Sequence, residues 1–325
     1  MPTLAPQRAS RELIPICALT LNCNTGLGVD VFLKVDANAR PKLFCSRRLQ
    51  VTPQQLQHLL NEGVTKLYIE RESYSSYQSH LQSNWKSILT DDGNVAANRT
   101  DLMSEVVRAV LSQQFVCKDT PSIVKTCEAL SKSIIDILQA HPVFMPRLYD
   151  GMYHDFSMGT HATNVATYIT LLATKLGFSG DELQQIVVGA LLHDIGSLDI
   201  SDHVLAKPHR LDEFEYREVQ KHPSRGLRRL VDEQQQLTYG QLMMVYQHHE
   251  KLNGSGYPVG VPSEEIHPWA KICAVVDIFE ALTSRRPFRK PLSHPTALAV
   301  LEKHSRTELD EDIVKCWQSL SWAKT

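Results

Sequence analysis

The stretch SGDELQQIVVGALLHD, residues 179–194, decides how the second half of this chain folds. Its first four residues, SGDE, are a capping-box pattern that predicts the start of a helix. Apolar residues then recur at intervals of four and three, and the same stripe ends at Asp194. We therefore predict a helix whose buried face carries Asp194 beside His193. The stripe consists of Leu183, Val187, Ala190 and Asp194.

Other ligand-type side chains also lie in apolar surroundings. His161 shares a predicted helical stripe with Val165 and Ile169, and Asp277 lies inside the apolar run 272–279. A carboxylate buried without a partner costs several kcal/mol or becomes protonated, so Asp277 needs a partner such as a metal ion. The candidate ligands are His161, His193, Asp194, His222, His248, His249 and Asp277.

This set of side chains indicates a two-metal hydrolytic centre. Imidazole and carboxylate suit borderline divalent metals, and a carboxylate between two ions can bridge them. One histidine on an apolar face is more often a satisfied core residue than a ligand, but the whole set is harder to dismiss. His154, about two helical turns before His161, is instead expected to be solvated or to cap a helix.

Composition narrows the class of protein. The chain has 325 residues, 42% of them hydrophobic, and a formal net charge of -2, which argues against binding a nucleic-acid polymer by bulk attraction. Its seven cysteines form no CxxC pair, and no run of about 18 apolar residues predicts a membrane span. The N-terminus has no apolar run long enough for a signal peptide. We expect a soluble protein of the reducing cytoplasm.

The periodicity of the sequence changes near residue 95. Before it, short β-branched and aromatic runs alternate with glycine-containing breaks and one helix-like stretch, 53–62, which predicts a small α+β module over residues 1–95. The polar segment 91–98 is a predicted linker. After it the pattern is helical almost throughout. The predicted fold is therefore mainly α, with an all-helical domain over residues 96–325.

Six motifs in fixed order resemble the HD-GYP subfamily of HD-domain phosphohydrolases. They are HDIG at 193–196, KP at 207–208, HP at 222–223, HHE at 248–250, NGSGYP at 253–258 and DIFEALT at 277–283. The resemblance covers about residues 149–310 and implies an HD-type helical bundle that hydrolyses the bacterial signalling molecule cyclic di-GMP. It also implies two divalent metal ions, iron or manganese, as cofactors. Residues 51–69 resemble, more loosely, a small regulatory or interaction module that precedes this domain in some family members.

The resemblance also implies how the ligands are divided. The first metal would be held by His161, His193, Asp194 and Asp277. The second would be held by Asp194, His222, His248 and His249. Asp194 would bridge the two ions and, with His193, belong to the catalytic machinery. In that arrangement a bridging hydroxide attacks phosphorus and yields pGpG, with GMP as a further product left open. Two aspartates, the hydroxide and one phosphodiester balance four positive charges.

Further family positions bear on substrate binding. The implied contacts with the dinucleotide are Lys207, Gly256, Tyr257, Pro258, Arg286 and Arg289, with Ser197 at the position of the usual HDxGK lysine. Loss of that cation removes a contact worth about 1.5 to 3 kcal/mol, so turnover is expected to fall roughly ten- to a hundredfold unless Lys207 or Arg286 compensates. Ser157 stands where members with three metals carry a glutamate, which predicts a binuclear site.

Two alternatives stay open beside the cyclic di-GMP phosphodiesterase. One is a catalytically weak cyclic di-GMP receptor that passes occupancy to a signalling protein partner. The other is an HD-type phosphohydrolase of another nucleotide. A homodimer is equally open, because the sequence carries no signal for the oligomeric state.

Overall fold

The computed structural model describes residues 13–21, 26–34, 41–64, 66–90, 99–140, 145–152, 154, 157–232, 236–286 and 289–320. The chain divides into two compact units, Met1–Val110 and Leu111–Thr325. The predicted linker 91–98 lies outside the described residues. The functional division between residues 95 and 96 stays a prediction.

The first unit contains a small antiparallel sheet, as the α+β prediction expected. Its strands in the described residues are β1 Leu13–Cys17, β2 Val31–Leu33, β3 Lys42–Cys45 and β4 Lys66–Glu70. They pair in the order β1-β4-β2-β3, with Ile16 opposite Leu67 and Phe32 opposite Tyr68. Helix α1, Pro53–Asn61, begins at a capping box between Thr52 and Gln55, which explains the helical signal there.

Helix α2, Tyr74–Thr90, follows in the first unit, and α3, Arg99–Cys117, begins in it and continues past its boundary at Val110. The α2 helix was not anticipated from the sequence. Within the first unit, α3 carries a buried ion pair: Arg108 Nη2 lies 3.0 Å from Glu105 Oε1. The Tyr77 hydroxyl donates to the same oxygen at 3.3 Å, so this charged pair is also hydrogen-bonded inside the core.

The second unit is helical, and the mainly α fold is confirmed. Its remaining helices are α4 Thr120–Ala140, α5 Met145–Gly151, α6 Met158–Lys175, α7 Gly180–Leu192, α8 Asp202–Leu205, α9 Glu213–Val219, α10 His222–Asp232, α11 Tyr239–Gln247, α12 Pro268–Thr283, α13 His294–His304 and α14 Glu311–Gln318. No helix in the described part of the chain is both long and apolar enough to cross a membrane.

Helix α6 lies at the centre of this unit and packs against α4, α7, α12 and α14. It is buried on nearly every side and not along one stripe alone. Its threonines make this tolerable, because their hydroxyls donate to carbonyls one turn back, as Thr163 does to Gly159 and Thr167 to Thr163. The small, internally satisfied side chains of α6 let the neighbouring helices approach it closely.

Helix α7 differs from its prediction at both ends. Ser179 is the N-cap residue, but its hydroxyl makes no capping hydrogen bond, and Gly180 has a left-handed φ of 58° that is foreign to a helix. The helix ends at Leu192, so Asp194 lies beyond it. The Asp194 side chain keeps 23% of its accessible surface instead of lying on a buried face.

A close backbone contact explains why the chain leaves the helix there. After Asp194 it forms a 3₁₀ turn, Ile195–Asp199, that packs against α10. A Cβ atom at Gly196 would lie 2.0 Å from the carbonyl oxygen of His222 and 2.4 Å from the amide nitrogen of Gly226. Only glycine fits at residue 196, because both neighbouring atoms belong to the backbone.

Replacing Gly196 by alanine is therefore expected to destabilise the protein. We expect the free energy of unfolding of metal-free Gly196→Ala to fall by about 1 to 3 kcal/mol, or more, because backbone must move. Chemical denaturation measures the change. Gly189→Ala is the matched control, since its Cβ would come within 3 Å only of the flexible Met244 side chain, would make ordinary contacts with Gln241, and alanine favours the helix. Equal losses in the two variants would contradict the prediction.

Candidate metal centre

The predicted ligands come from helix ends and from two buried helices. His193 directly follows α7, His222 opens α10, and His248 and His249 directly follow α11. His161 lies in α6 and Asp277 in α12. The last carbonyls of a helix have no partner within that helix, so a side chain that donates there is held firmly.

The structure brings the seven predicted ligands together in two groups. One group contains Asp194, His222, His248 and His249. The other contains His161, His193 and Asp277. Within each group, one ligand atom per residue lies within 4.8 Å of all the others. This division matches the one that the family resemblance implies, apart from the second place given to Asp194.

Asp194 lies between the two groups. Its Oδ1 is 3.0 Å from Nε2 of His222, and its Oδ2 is 3.6 Å from Nε2 of His161. Each carboxylate oxygen therefore faces a different group, which is the geometry that a bridging carboxylate needs. Asp277 also touches both groups, because its Oδ1 is 3.2 Å from His161 Nε2 and its Oδ2 is 3.8 Å from His249 Nδ1.

Backbone carbonyls set the orientation of three imidazoles. Nδ1 of His193 lies 2.7 Å from the carbonyl oxygen of Ala190, three residues back. The same contact joins Nδ1 of His222 to Val219, at 2.7 Å, and Nδ1 of His248 to Val245, at 3.0 Å. A carbonyl oxygen only accepts, so each Nδ1 carries the proton and donates it. Each Nε2 then presents a lone pair to the cluster.

Two of these lone pairs, on His222 and His248, point at each other, and this contact shows whether the site suits a cation. Nε2 of His222 and Nε2 of His248 lie 3.1 Å apart. Neither can donate to the other while both are neutral, so the contact is favourable only when a cation or a proton lies between them. Carboxylates lie beside them, and imidazole with carboxylate is a donor set for borderline divalent metals. The residues present therefore fit divalent metal ions.

The charges of the cluster without metal also fit a site for divalent metal ions. Burial opposes ionisation, but neighbouring histidines hold the pKa of Asp194 and of Asp277 well below the usual range of a carboxyl. Burial lowers the pKa of His193 to about 4, so that imidazole is neutral near pH 7. His161 differs, because Glu280 and Asp277 overcome the effect of burial and raise its pKa to about 10. A metal ion bound there must displace a proton.

Sequence reasoning missed Glu280, although the residue is part of the DIFEALT motif. It is 2% exposed, and its Oε2 lies 2.6 Å from Nδ1 of His161. Burial opposes its ionisation, but His161 lowers the pKa of Glu280 to about 2, so the carboxylate stays charged. The available signal was its position three residues after Asp277, which places both carboxylates on one face of α12.

The predicted glycine-tyrosine-proline loop lies next to the cluster. The ring of Tyr257 stacks on His249, with centroids 4.6 Å apart. Glu250 anchors the loop, because its buried carboxylate accepts hydrogen bonds from the amides of Val259 and Gly260. At Gly256 a Cβ would lie 2.5 Å from Cα of Glu250, so this glycine has a packing role whatever the substrate. The peptide bond between Tyr257 and Pro258 is cis.

The basic residues predicted to contact substrate are differently engaged. Arg286 lies 3.5 Å from Glu280 Oε2, one contact away from His161. Arg289 donates to the carbonyls of Leu282 and Ala281 at 3.1 and 2.6 Å, so its guanidinium caps α12. Its role as a substrate contact stays a prediction.

Lys207 and the two serines complete the predicted set. Lys207 Nζ lies 2.5 Å from a Glu215 oxygen, so its charge is already paired. Ser197 is 8% exposed and follows Asp194 in the 3₁₀ turn, so it brings no positive charge to the site. Ser157 caps α6 by accepting from the amide of Thr160 at 3.1 Å, and it belongs to neither ligand group.

Known proteins share this domain. Residues 134–313 match the model of the HD domain family. The 3'3'-cGAMP-specific phosphodiesterase 3 of Vibrio cholerae is 38% identical over 163 residues, which are 50% of this chain and 34% of that protein. The cyclic di-GMP phosphodiesterase response regulator RpfG of Xanthomonas campestris is 36% identical over 149 residues, 46% of this chain and 39% of that protein. The chain thus spans between a third and two fifths of these relatives.

One solved structure shares the fold over nearly the whole chain. Bd1817, an HDG"Y"P protein from Bdellovibrio bacteriovorus, superposes with a TM-score of 0.64 at 19% sequence identity. The superposition covers 94% of this chain and 98% of that one. The family model covers 180 of the 325 residues, from 134 to 313, which is more than half of the sequence. The chain therefore belongs to the HD domain family, and its motifs are those of the HD-GYP type.

Proposed function

We propose that this protein is a metal-dependent phosphodiesterase that hydrolyses a 3'-5' bond of cyclic di-GMP to give pGpG, with further hydrolysis to GMP left open. The observation that carries the proposal is the position of Asp194, whose two oxygens face two separate groups of ligand atoms. A single structural metal ion would need only one such group.

The metal ions would supply positive charge and acidify water near neutral pH, two effects that phosphodiester hydrolysis requires. The protein's part is to hold them. His161, His193 and Asp277 would bind one ion, and His222, His248 and His249 the other, with Asp194 shared. The role of His193, Asp194 and the other candidate ligands would be to hold these ions in fixed positions. No protein nucleophile is required.

Iron or manganese fits this donor set better than structural zinc. Five imidazoles and two carboxylates around two ions leave coordination positions open for water and substrate. Structural zinc sites are instead closed tetrahedra that are often rich in cysteine. Burial, together with Asp277 and Asp194, raises the pKa of Cys273, so its thiol stays protonated. Cys273 belongs to neither ligand group, and thiolate ligation is not part of the proposal.

The names of the relatives support a cyclic dinucleotide as the substrate class. RpfG is named a cyclic di-GMP phosphodiesterase, and the matched Vibrio cholerae protein is named specific for 3'3'-cGAMP. Tyr257 lies beside His249 with an aromatic face suited to stacking on a base. Arg286, whose guanidinium lies 3.5 Å from Glu280, would bring to the edge of the centre a planar cation of the kind that binds phosphate.

The first unit and the cellular setting belong to the same proposal. We place the reaction in the cytoplasm, where the free cysteines of the described residues stay reduced. The module over residues 1–95 would be regulatory or would bind a signalling partner, and the catalytic domain would occupy 96–325.

The first test is hydrolysis of cyclic di-GMP by protein loaded anaerobically with Fe²⁺ or with Mn²⁺. We expect Asp194→Asn to lower kcat at least a hundredfold, because the shared carboxylate and its charge are lost. Asp199→Asn is the matched control, since Asp199 pairs with Arg229 and belongs to neither ligand group. Intact cyclic di-GMP after incubation with wild type that has bound both metals would refute the proposal.

The second test restores the missing cation. Ser197→Lys is expected to raise turnover roughly ten- to a hundredfold, because a charge-assisted contact with phosphate is worth about 1.5 to 3 kcal/mol. Steady-state kinetics at saturating metal give the answer. An unchanged rate would mean that another cation already fills this role, with Arg286 as the first candidate, since Lys207 is paired with Glu215.

A second candidate substrate has specific support. The matched Vibrio cholerae protein is named for 3'3'-cGAMP, which differs from cyclic di-GMP in one base. A panel of cyclic di-GMP, 3'3'-cGAMP and cyclic di-AMP, compared by kcat/KM, separates the candidates. We expect cyclic di-GMP to be the best substrate. A preference for 3'3'-cGAMP would replace the proposed substrate but keep the reaction.

The receptor alternative predicts a different outcome for the same molecule. If Ser197 has abolished turnover, the protein would bind cyclic di-GMP tightly without hydrolysing it, and Arg286→Ala would weaken binding. Calorimetry with metal-loaded protein measures this. Rapid turnover by the wild type would exclude a pure receptor.

A further inference from the structure

We propose that Glu280 is a positioning residue of the metal centre, which fixes the imidazole of His161 so that its Nε2 faces Asp277. The inference rests on the proposed function, because it concerns the same centre. Glu280 belongs to neither group of candidate ligands. Its part would be to orient a ligand and to strengthen it.

The first support is the contact itself. Glu280 is 2% exposed, and its Oε2 lies 2.6 Å from Nδ1 of His161. On the other side of the ring, His161 Nε2 lies 3.2 Å from Asp277 Oδ1. The two ring nitrogens are therefore divided between two carboxylates of α12, and the ring cannot turn without losing both contacts.

The Glu280 carboxylate is itself held in place. Asn164 Nδ2 donates to Oε1 at 3.1 Å, and the Ser284 hydroxyl donates to the same oxygen at 2.5 Å. Arg286 Nη2 lies 3.5 Å from Oε2. With His161, these partners come from α6 and from the end of α12, so the plane of the carboxylate is fixed from several sides. A group whose only task was to neutralise Arg286 would not need this support.

Hydrogen-bond accounting shows what the contact does. An ionised carboxylate only accepts, so Nδ1 of His161 carries a proton and donates it. Nε2 is then the nitrogen left for a metal ion. His193, His222 and His248 are oriented by neutral carbonyls, whereas His161 is backed by a full negative charge. A carboxylate behind the ring makes the imidazole a stronger electron donor to a metal.

The contacts of Ser284 extend to His154, which was expected to be solvated or to cap a helix. Ser284 Oγ lies 3.4 Å from Nδ1 of His154, and His154 Nε2 lies 2.8 Å from the carbonyl oxygen of Tyr149. The His154 ring stacks on Tyr149 with centroids 3.9 Å apart. His154 therefore packs beside Ser284, and the Ser284 hydroxyl donates its proton to Glu280.

The test is a titration of metal-free, full-length protein with Mn²⁺, followed by electron paramagnetic resonance. We expect two classes of site in the wild type. In Glu280→Gln, which keeps the shape but removes the charge, one class should bind roughly ten- to a hundredfold more weakly while the other is unchanged. Ser284→Ala, which removes a single contact with the carboxylate, should give a smaller loss in the same class.

Glu105→Gln is the matched control, because Glu105 is also a buried, ion-paired glutamate but belongs to the other unit. It should lower the unfolding temperature and leave both Mn²⁺ affinities unchanged. Unchanged Mn²⁺ binding by Glu280→Gln, or equal weakening of both classes, would overturn the proposal. Ser284→Ala decides by the same criterion if Glu280→Gln does not fold.

The outcomes separate this inference from the proposed function. Wild type that binds two Mn²⁺ ions but leaves cyclic dinucleotides intact would refute the phosphodiesterase, while a selective effect of Glu280→Gln on one Mn²⁺ class would still support the positioning role. Wild type that binds no Mn²⁺ would overturn both.

Discussion

The structure depends on how helix ends satisfy their last carbonyls. Ala190, Val219 and Val245 each lack a helical partner for the carbonyl, and each accepts the Nδ1 proton of a histidine three residues later. The opposite nitrogen of each ring then points away from its helix. Helix α11 packs against both α7 and α10, and Nε2 of His248 lies 3.1 Å from Nε2 of His222. Two neutral imidazole nitrogens at that distance require a cation or a proton between them. Local helix capping thus produces a site for charge.

The close packing of helices in the second unit holds these histidine side chains in place. Gly196 lies against the backbone at His222 and Gly226, so the turn that directly follows His193 and Asp194 is fixed against the helix that carries His222. In the other ligand group, His161 of α6 contacts Asp277 and Glu280 of α12. The cluster is therefore built from rigid helices and one tight turn, which suits chemistry that needs ligands preorganised within a fraction of an ångström.

Much of this could be predicted from the sequence, and the exceptions share a cause. The helical architecture followed from periodicity, and the seven side chains that the structure brings together could be named from ordered motifs, because ligand chemistry restricts residue type. The end of α7 was missed because it depends on contacts between residues 196 and 226, far apart in sequence. The capping of α12 by Arg289 and the pairing of Lys207 with Glu215 were missed because a basic side chain can reach several partners, and only the fold selects one. Glu280 looked like any helical glutamate until its burial was known.

The carbonyl contacts of His193, His222 and His248 have a consequence for how such proteins diverge. Each of these histidines completes the hydrogen bonding of a helix end in addition to facing the cluster. Losing one would expose an unsatisfied buried carbonyl, at a cost of about 1 to 3 kcal/mol, even in a protein that no longer turned over substrate. Selection for folding alone would therefore preserve these three residues long after selection for catalysis had relaxed. Asp194 lies beyond its helix, its side chain keeps 23% of its accessible surface, and it satisfies no helix-end carbonyl, so selection for folding alone would not preserve it in the same way.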